Sequence, residues 1–146
     1  MAGGITSLTI SGGHKYLLDL RGCVGLRYLK LSDLNGVNGI NISGLAMLSM
    51  LEFEGCADLA ALNASGCMEL SEIRGCSELT GLITLDVGDS KFSDLDLGNS
   101  VKLQFLAIPG NMINLRLPRL TDISITCKGK HPVNITIPCT EMMFSK

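Results

Sequence analysis

The chain is predicted to be an all-β solenoid: a right-handed, leucine-rich stack of about six coils with two parallel β-sheets, capped at the C-terminus. Three observations predict it. The stretch from Leu48 to Leu70 writes one pattern twice, L-S-M-L-E-F-E-G-C-A-D-L and L-A-A-L-N-A-S-G-C-M-E-L, eleven residues apart and sharing Leu59. A short fixed period of this kind denotes stacked similar units. Within each unit an L-x-L pair alternates apolar and polar residues, the period of a strand. Eleven residues leave no room for a strand, two turns and a helix, since a helix alone takes about ten. Four residues beyond the first leucine or isoleucine of nine of these pairs stand Gly12, Gly22, Asp33, Gly44, Gly55, Gly66, Asp89, Asn99 and Gly110. These are the residue types that tolerate positive φ, so each strand is expected to end in a bend through a left-handed residue.

The strands follow in order from the L-x-L pairs: Leu8-Ile10, Leu18-Leu20, Leu29-Leu31, Ile40-Ile42, Leu51-Phe53, Leu62-Ala64, a truncated unit at Ile73, Leu85-Val87, Leu95-Leu97, Leu106-Ile108, Leu115-Leu117 and Ile123-Ile125. Unit seven, I-R-G-C, lacks two residues but keeps Gly75-Cys76, which reads as a tightened turn. Two strands make one coil of about 22 residues, with odd strands stacking on odd and even on even, roughly 4.8 Å apart. Inward leucines then form one apolar column that no single repeat could build alone. The position after each turn residue is mostly small or apolar, including Cys23, Cys56, Cys67, Ser90 and Ser100. There a thiol or hydroxyl can meet a turn backbone group. After Cys127 a polar loop, Lys128 to Pro132, leads to V-N-I-T-I, a last strand ended by Pro138, and Thr140-Phe144 could add one apolar helical turn. Residues 1–127 are thus the solenoid, and 128–146 a capping strand and turn of the same domain. The N-terminal end has no comparable cap.

Composition narrows the class. Apolar residues are 46% and charged residues 18% of 146, enough to bury a core, while aromatics are only 4%. The core must therefore be narrow, repeated Leu and Ile. A net charge of −2 with scattered basic residues argues against nucleic acid as a partner. No run approaches the roughly 18 apolar residues of a membrane span, and Met1-Leu8 has no basic start or apolar signal core. The expectation is a protein that stays in the cytoplasm where it is made, or reaches a surface or particle by another route.

The repeat L-x-x-L-x-L/F-x-G-C-x-x-L, from about Ile5 to Ile125, resembles leucine-rich repeats of the short bacterial type, with about 21–23 residues per coil. The closing strand and Pro138 are also similar to the end of bacterial leucine-rich surface proteins. The resemblance implies binding of proteins or surfaces and brings no catalytic residues with it. Members of the group are usually exported, a feature this sequence lacks a signal for.

Function on such a fold belongs to the outer faces. The odd strands present Thr9, Lys30, Glu52, Arg74, Asp96 and Arg116, flanked by Ser7, Tyr28, Met50, Glu72, Asp94 and Asn114. Alternating signs predict a self-satisfied ladder of cross-strand pairs. The even strands present Asp19, Asn41, Asn63, Asp86, Ala107 and Ser124, flanked by Leu17, Gly39, Ala61, Thr84, Phe105 and Asp122, with no Lys or Arg. This smaller, partly apolar face is the candidate partner-contact surface, with Leu17, Asp19, Asn41, Ala61, Asn63, Thr84, Asp86, Phe105 and Ala107 as its residues. A lone exposed Leu and Phe also occur on ordinary surfaces.

No catalytic, cofactor or metal site is expected. His14 and His131 lie near opposite ends, no C-x-x-C pair occurs, and Asp86, Asp94 and Asp96 fall on different faces. Cys56 and Cys76 share a turn column on adjacent coils and are expected to remain free thiols. Two functions are expected: a non-enzymatic module binding a protein or glycan, or a structural subunit that assembles with copies of itself or with neighbours in a virion surface or fibre.

Overall fold

The structure is a computed structural model, and it describes residues 4–12, 17–128 and 134–137. Among the described residues, thirteen parallel strands alternate between the two sides of a β-solenoid. One side is a single six-stranded sheet: β2 (Leu17–Asp19), β4 (Gly39–Asn41), β6 (Ala61–Asn63), β8 (Thr84–Asp86), β10 (Phe105–Ile108) and β12 (Ser124–Cys127). The odd strands form the other side, but in two pieces rather than the one continuous sheet expected. β1 (Ser7–Ser11), β3 (Tyr28–Ser32), β5 (Met50–Glu54) and β7 (Glu72–Arg74) make a four-stranded sheet. β9 (Asp94–Asp96), β11 (Asn114–Arg116) and β13 (Asn134–Thr136) make a three-stranded one.

The break has a local cause in the shortened seventh unit. After Arg74 the chain lacks a second inward residue and bends at once through Gly75, φ 87°, into a 3-10 turn at Cys76–Glu78. A Cβ on Gly75 would overlap the carbonyl of Phe53, so no other residue fits this bend without moving backbone. The compensation follows on the other side: Phe92 takes the buried place of Leu70 in a unit one residue shorter. Lys91 N–H then donates to Leu70 O at 2.7 Å, and β9 enters out of step with β7.

Elsewhere the repeat holds. Leu29, Leu31, Leu48, Leu51, Leu59 and Leu70 are fully or almost fully buried and belong to one core running the length of the stack. Burying a leucine contributes about 1.5–3 kcal/mol, so the column carries most of the stability. Leu8, Ile10 and Leu18 of the first coil are only partly buried against it. The row behind the turns works as its chemistry suggested. Cys56 Sγ donates to Leu31 O at 3.3 Å, Cys67 Sγ to Ile42 O at 3.1 Å, and Ser100 Oγ to Leu79 O at 2.9 Å, each reaching the preceding coil. Ser90 Oγ, in the same row, is buried and finds no acceptor among the described residues.

The left-handed bend is confined to part of the chain. Gly12, Asp33, Gly44, Gly55, Gly66 and Gly75 have positive φ; Gly22, Asp89, Asn99 and Gly110 do not, against expectation. At the Gly22, Asp89 and Asn99 turns a side-chain oxygen of Asp19, Asp86 or Asp96 accepts from the turn backbone, as described below, but the same bond from Asn41 and Asn63 accompanies the left-handed Gly44 and Gly66. A second correction concerns the twelfth strand. Ser124 lies opposite Phe105 and Thr126 opposite Ala107, two residues out of the expected register, which had placed Asp122 and Ser124 there. The expected register would leave six positions from Leu117 to the next inward residue, against nine from Leu97 to Leu106; pairing Ile125 with Leu106 restores eight, and Cys127 comes opposite Ile108. The closing strand pairs parallel with β11, Leu115 opposite Ile135. The expected polar loop, Pro138 and the turn at Thr140-Phe144 lie wholly or mostly outside the described residues, as do His14 and His131.

Candidate functional site

Parallel register builds the face of the six-stranded sheet residue by residue. Leu17, Gly39, Ala61, Thr84 and Phe105 stand in one row across β2, β4, β6, β8 and β10. Asp19, Asn41, Asn63, Asp86 and Ala107 stand in the next row on the same face. All nine predicted contact residues are therefore brought together. Leu17 is 76% exposed and Phe105 54% exposed, at either end of the row. Four strand spacings, roughly 19 Å, separate them. Gly39 and Ala61 give the row a low floor. Leu17 folds over Gly39 so closely that a Cβ there would stand 2.6 Å from Leu17 Cδ2. The result is a shallow depression of about 270 Å³, lined by Leu17, Gly39, Ala61 and Thr84 with Asn41, Asn63 and Asp86 along one flank.

The Asp/Asn row has a structural task that sequence reasoning missed. Asp19 Oδ1 accepts from Arg21 N–H at 3.1 Å, Asn41 Oδ1 from Ser43 N–H at 3.0 Å, Asn63 Oδ1 from Ser65 N–H at 3.0 Å, and Asp86 Oδ1 from Gly88 N–H at 3.0 Å. Each side chain folds back on the backbone two residues ahead, an Asx turn that ends the strand. Asp96 does the same for Gly98 N–H on the other side, at 2.9 Å. The signal was available in the recurrence of Asp or Asn at the last strand position. These turn bonds use Oδ1 and leave out Nδ2 of Asn41 and Asn63 and Oδ2 of Asp86. Asp19 is further committed: hydrogen bonds from the Arg21 guanidinium, then its N–H, hold the Asp19 carboxyl down to about 2.

The odd side contrasts with this face. Lys30 pairs with Glu52 at 3.8 Å and Glu54 at 3.3 Å, and Arg116 with Asp96 at 3.4 Å, as the predicted ladder requires. Arg74 departs from it, pairing with Glu72 of its own strand at 2.5 Å. Tyr28 Oη donates to Glu52 at 2.8 Å, and that bond raises the phenol above its ordinary value. Asn114 Nδ2 donates to Asp94 Oδ1 at 2.6 Å.

Two further features lie outside the predicted face. A groove of about 820 Å³ runs beside β10 and β12, with Lys102 and Arg119 on its walls and Phe105 on its rim. Cys23, Cys56, Cys67, Cys76 and Cys127 are all free thiols. Burial pushes the Cys67 thiol up to about 11 and the Cys76 thiol to about 12, so neither is a nucleophile near neutral pH. Among the described residues no group of three or more His, Cys, Asp or Glu could hold a metal ion, and no helix is long and apolar enough to cross a membrane. No family model, no curated protein and no solved structure matches the chain.

Proposed function

We propose that the chain is a non-enzymatic binding module of the leucine-rich-repeat kind, and that it holds a partner protein on the outer face of the six-stranded sheet. One observation carries this reading. The row from Leu17 to Phe105 leaves apolar surface uncovered over a floor of Gly39 and Ala61, while the opposite side engages its charges internally. Apolar centres with polar rims are the anatomy of protein interfaces. Here the rim is Asn41, Asn63 and Asp86, already oriented by their turns and so cheap in entropy to engage.

The test is a bait comparison. Ala61→Arg fills the depression and Phe105→Asp charges the far end of the row; both sites are solvent-exposed, so the fold is expected to survive, as far-UV circular dichroism will verify. A partner identified with the unaltered chain, purified and titrated by calorimetry, is expected to lose at least about tenfold in affinity to either variant, the scale of one interface anchor. Equal affinity for both variants defeats the reading.

A second reading, a structural subunit of a larger assembly, is favoured by a different observation. Leu8, Ile10 and Leu18 are only partly buried, whereas the residues stacked on them, Leu29, Leu31 and Ile40, are at most 3% exposed. A solenoid end of that kind can pair with another chain's edge. Light scattering separates the two: a concentration-independent monomer supports the binding module, a defined oligomer the subunit.

A further inference from the structure

We infer that the groove beside β10 and β12 is a second recognition site, and that it takes an extended acidic peptide segment carrying apolar side chains. It goes beyond the sheet-face reading, with which it shares only Phe105 and the backbone beside it.

The groove opens where the link between β11 and β12 makes one backbone bond fewer to the stack. At earlier coils two successive N–H groups converge on one carbonyl: Ala60 and Ala61 on Asn38 O, Ile83 and Thr84 on Ala60 O, Gln104 and Phe105 on Ile83 O. At the next coil only Ser124 N–H reaches Gln104 O, at 2.9 Å. The link after Pro118 stands off, and Leu120 and Ile123 are left half-buried over Ile83 and Leu103. Val101, 60% exposed, and Phe105 extend this apolar floor to the surface.

Charge then selects the occupant. Nine Lys and Arg side chains fall in the described residues, and six of them pair with a carboxylate: Arg21, Lys30, Arg74, Lys91, Arg116 and Lys128. Of the three without such a pair among the described residues, Lys102 and Arg119 both line this one groove. A surface that pairs all but one of its other described cations with carboxylates and leaves two beside one apolar floor complements carboxylates next to apolar side chains. Asp122, also on the wall, opposes that charge and makes nucleic acid a poor fit.

The experiment uses the whole chain and a fluorescent peptide of alternating Glu and Leu, with Lys-Leu and Gln-Leu peptides of equal length as controls, read by anisotropy. The Glu-Leu peptide is expected to bind saturably and more weakly as salt rises. Charge reversal of Lys102 and Arg119 together is expected to cost at least about tenfold, the scale of a lost charge-assisted hydrogen bond. Asp122→Asn is expected to tighten binding about twofold, on the scale of an exposed charge interaction. Lys102→Gln with Arg119→Gln repeats the test should the reversed pair disturb folding. Ala61→Arg is expected to leave this affinity unchanged, so failure of the sheet-face reading and failure of this one are distinguishable. Equal binding of the Lys-Leu peptide, no saturable Glu-Leu binding, or no loss on removing both cations overturns the inference.

Discussion

The two sides of the solenoid are built from the same repeat, yet one runs unbroken through six strands and the other parts between β7 and β9. The even side keeps its full complement of inward residues and closes each strand from β2 to β8 with an Asp or Asn folded onto the turn. The odd side loses one inward residue at unit seven, and the ladder does not recover its phase across the gap. A parallel ladder depends on register, because every backbone pair is offset by the same slip. The difference teaches that the apolar column tolerates a missing residue while the hydrogen-bonded ladder does not: Ile73, Leu79, Leu82 and Leu95 stay in or packed against one core across the break.

The sharpest way to break this comparison is at Gly75. An added Cβ meets the Phe53 carbonyl, and φ 87° is strained for any other residue. Gly75→Ala is expected to destabilise by about 3 kcal/mol, combining the left-handed cost with a backbone clash. Gly22→Ala on the even side is the control. Its Cβ meets nothing within 4 Å and its φ is not positive, so stability is expected to hold or rise by about 0.5 kcal/mol. Urea denaturation of both variants decides it, and equal midpoints would remove the seam as the strained point of the fold.

Much of this architecture was legible in the sequence, because a solenoid repeats its constraints. The L-x-L pairs marked the inward columns, and the outward rows followed by alternation alone; Lys30 opposite Glu52 and Ala61 opposite Gly39 could be paired without coordinates. The thiol row was legible for the same reason. What escaped were features that depend on the depth of a turn, not on its place. Gly22 and Gly44 look identical in the repeat, yet only Gly44 is left-handed. Ser124 and Thr126 both alternate correctly, and only the length of the link after Pro118 chooses between them. The candidate face emerged with its residues assembled but with four of them committed to turns. The groove holding Lys102 and Arg119 was invisible, since it exists where the repeat fails.

The turn row offers a milder test, confined to the even side. Asn63→Ala removes the acceptor for both Ser65 N–H and Ser65 Oγ, at 3.0 and 2.8 Å. The expected loss is about 1 kcal/mol, the net worth of such hydrogen bonds. Asn63→Asp preserves the acceptor and is expected to lose little. Thr84→Ala, on the same face with no turn to hold, is expected to change stability by less than about 0.5 kcal/mol. If Asn63→Ala proves as mild as Thr84→Ala, the Asp/Asn row is free to serve recognition alone.

The smallest effect belongs to the odd face. Lys30 and Glu52 sit opposite each other on β3 and β5, 3.8 Å apart, with roughly a quarter to a third of each side chain exposed. A double-mutant cycle to alanine is expected to give a coupling of about 0.5 kcal/mol. Lys30 keeps Glu54 as an alternative partner, and Glu52 keeps the Tyr28 hydroxyl, so neither single change strands a charge. In 1 M salt, where screening acts over about 3 Å, the coupling is expected to vanish. A coupling that survives salt would mean the ladder is held by geometry and not by solvated charge. The contrast between a self-satisfied side and an open one would then no longer favour the even face as the proposed binding surface.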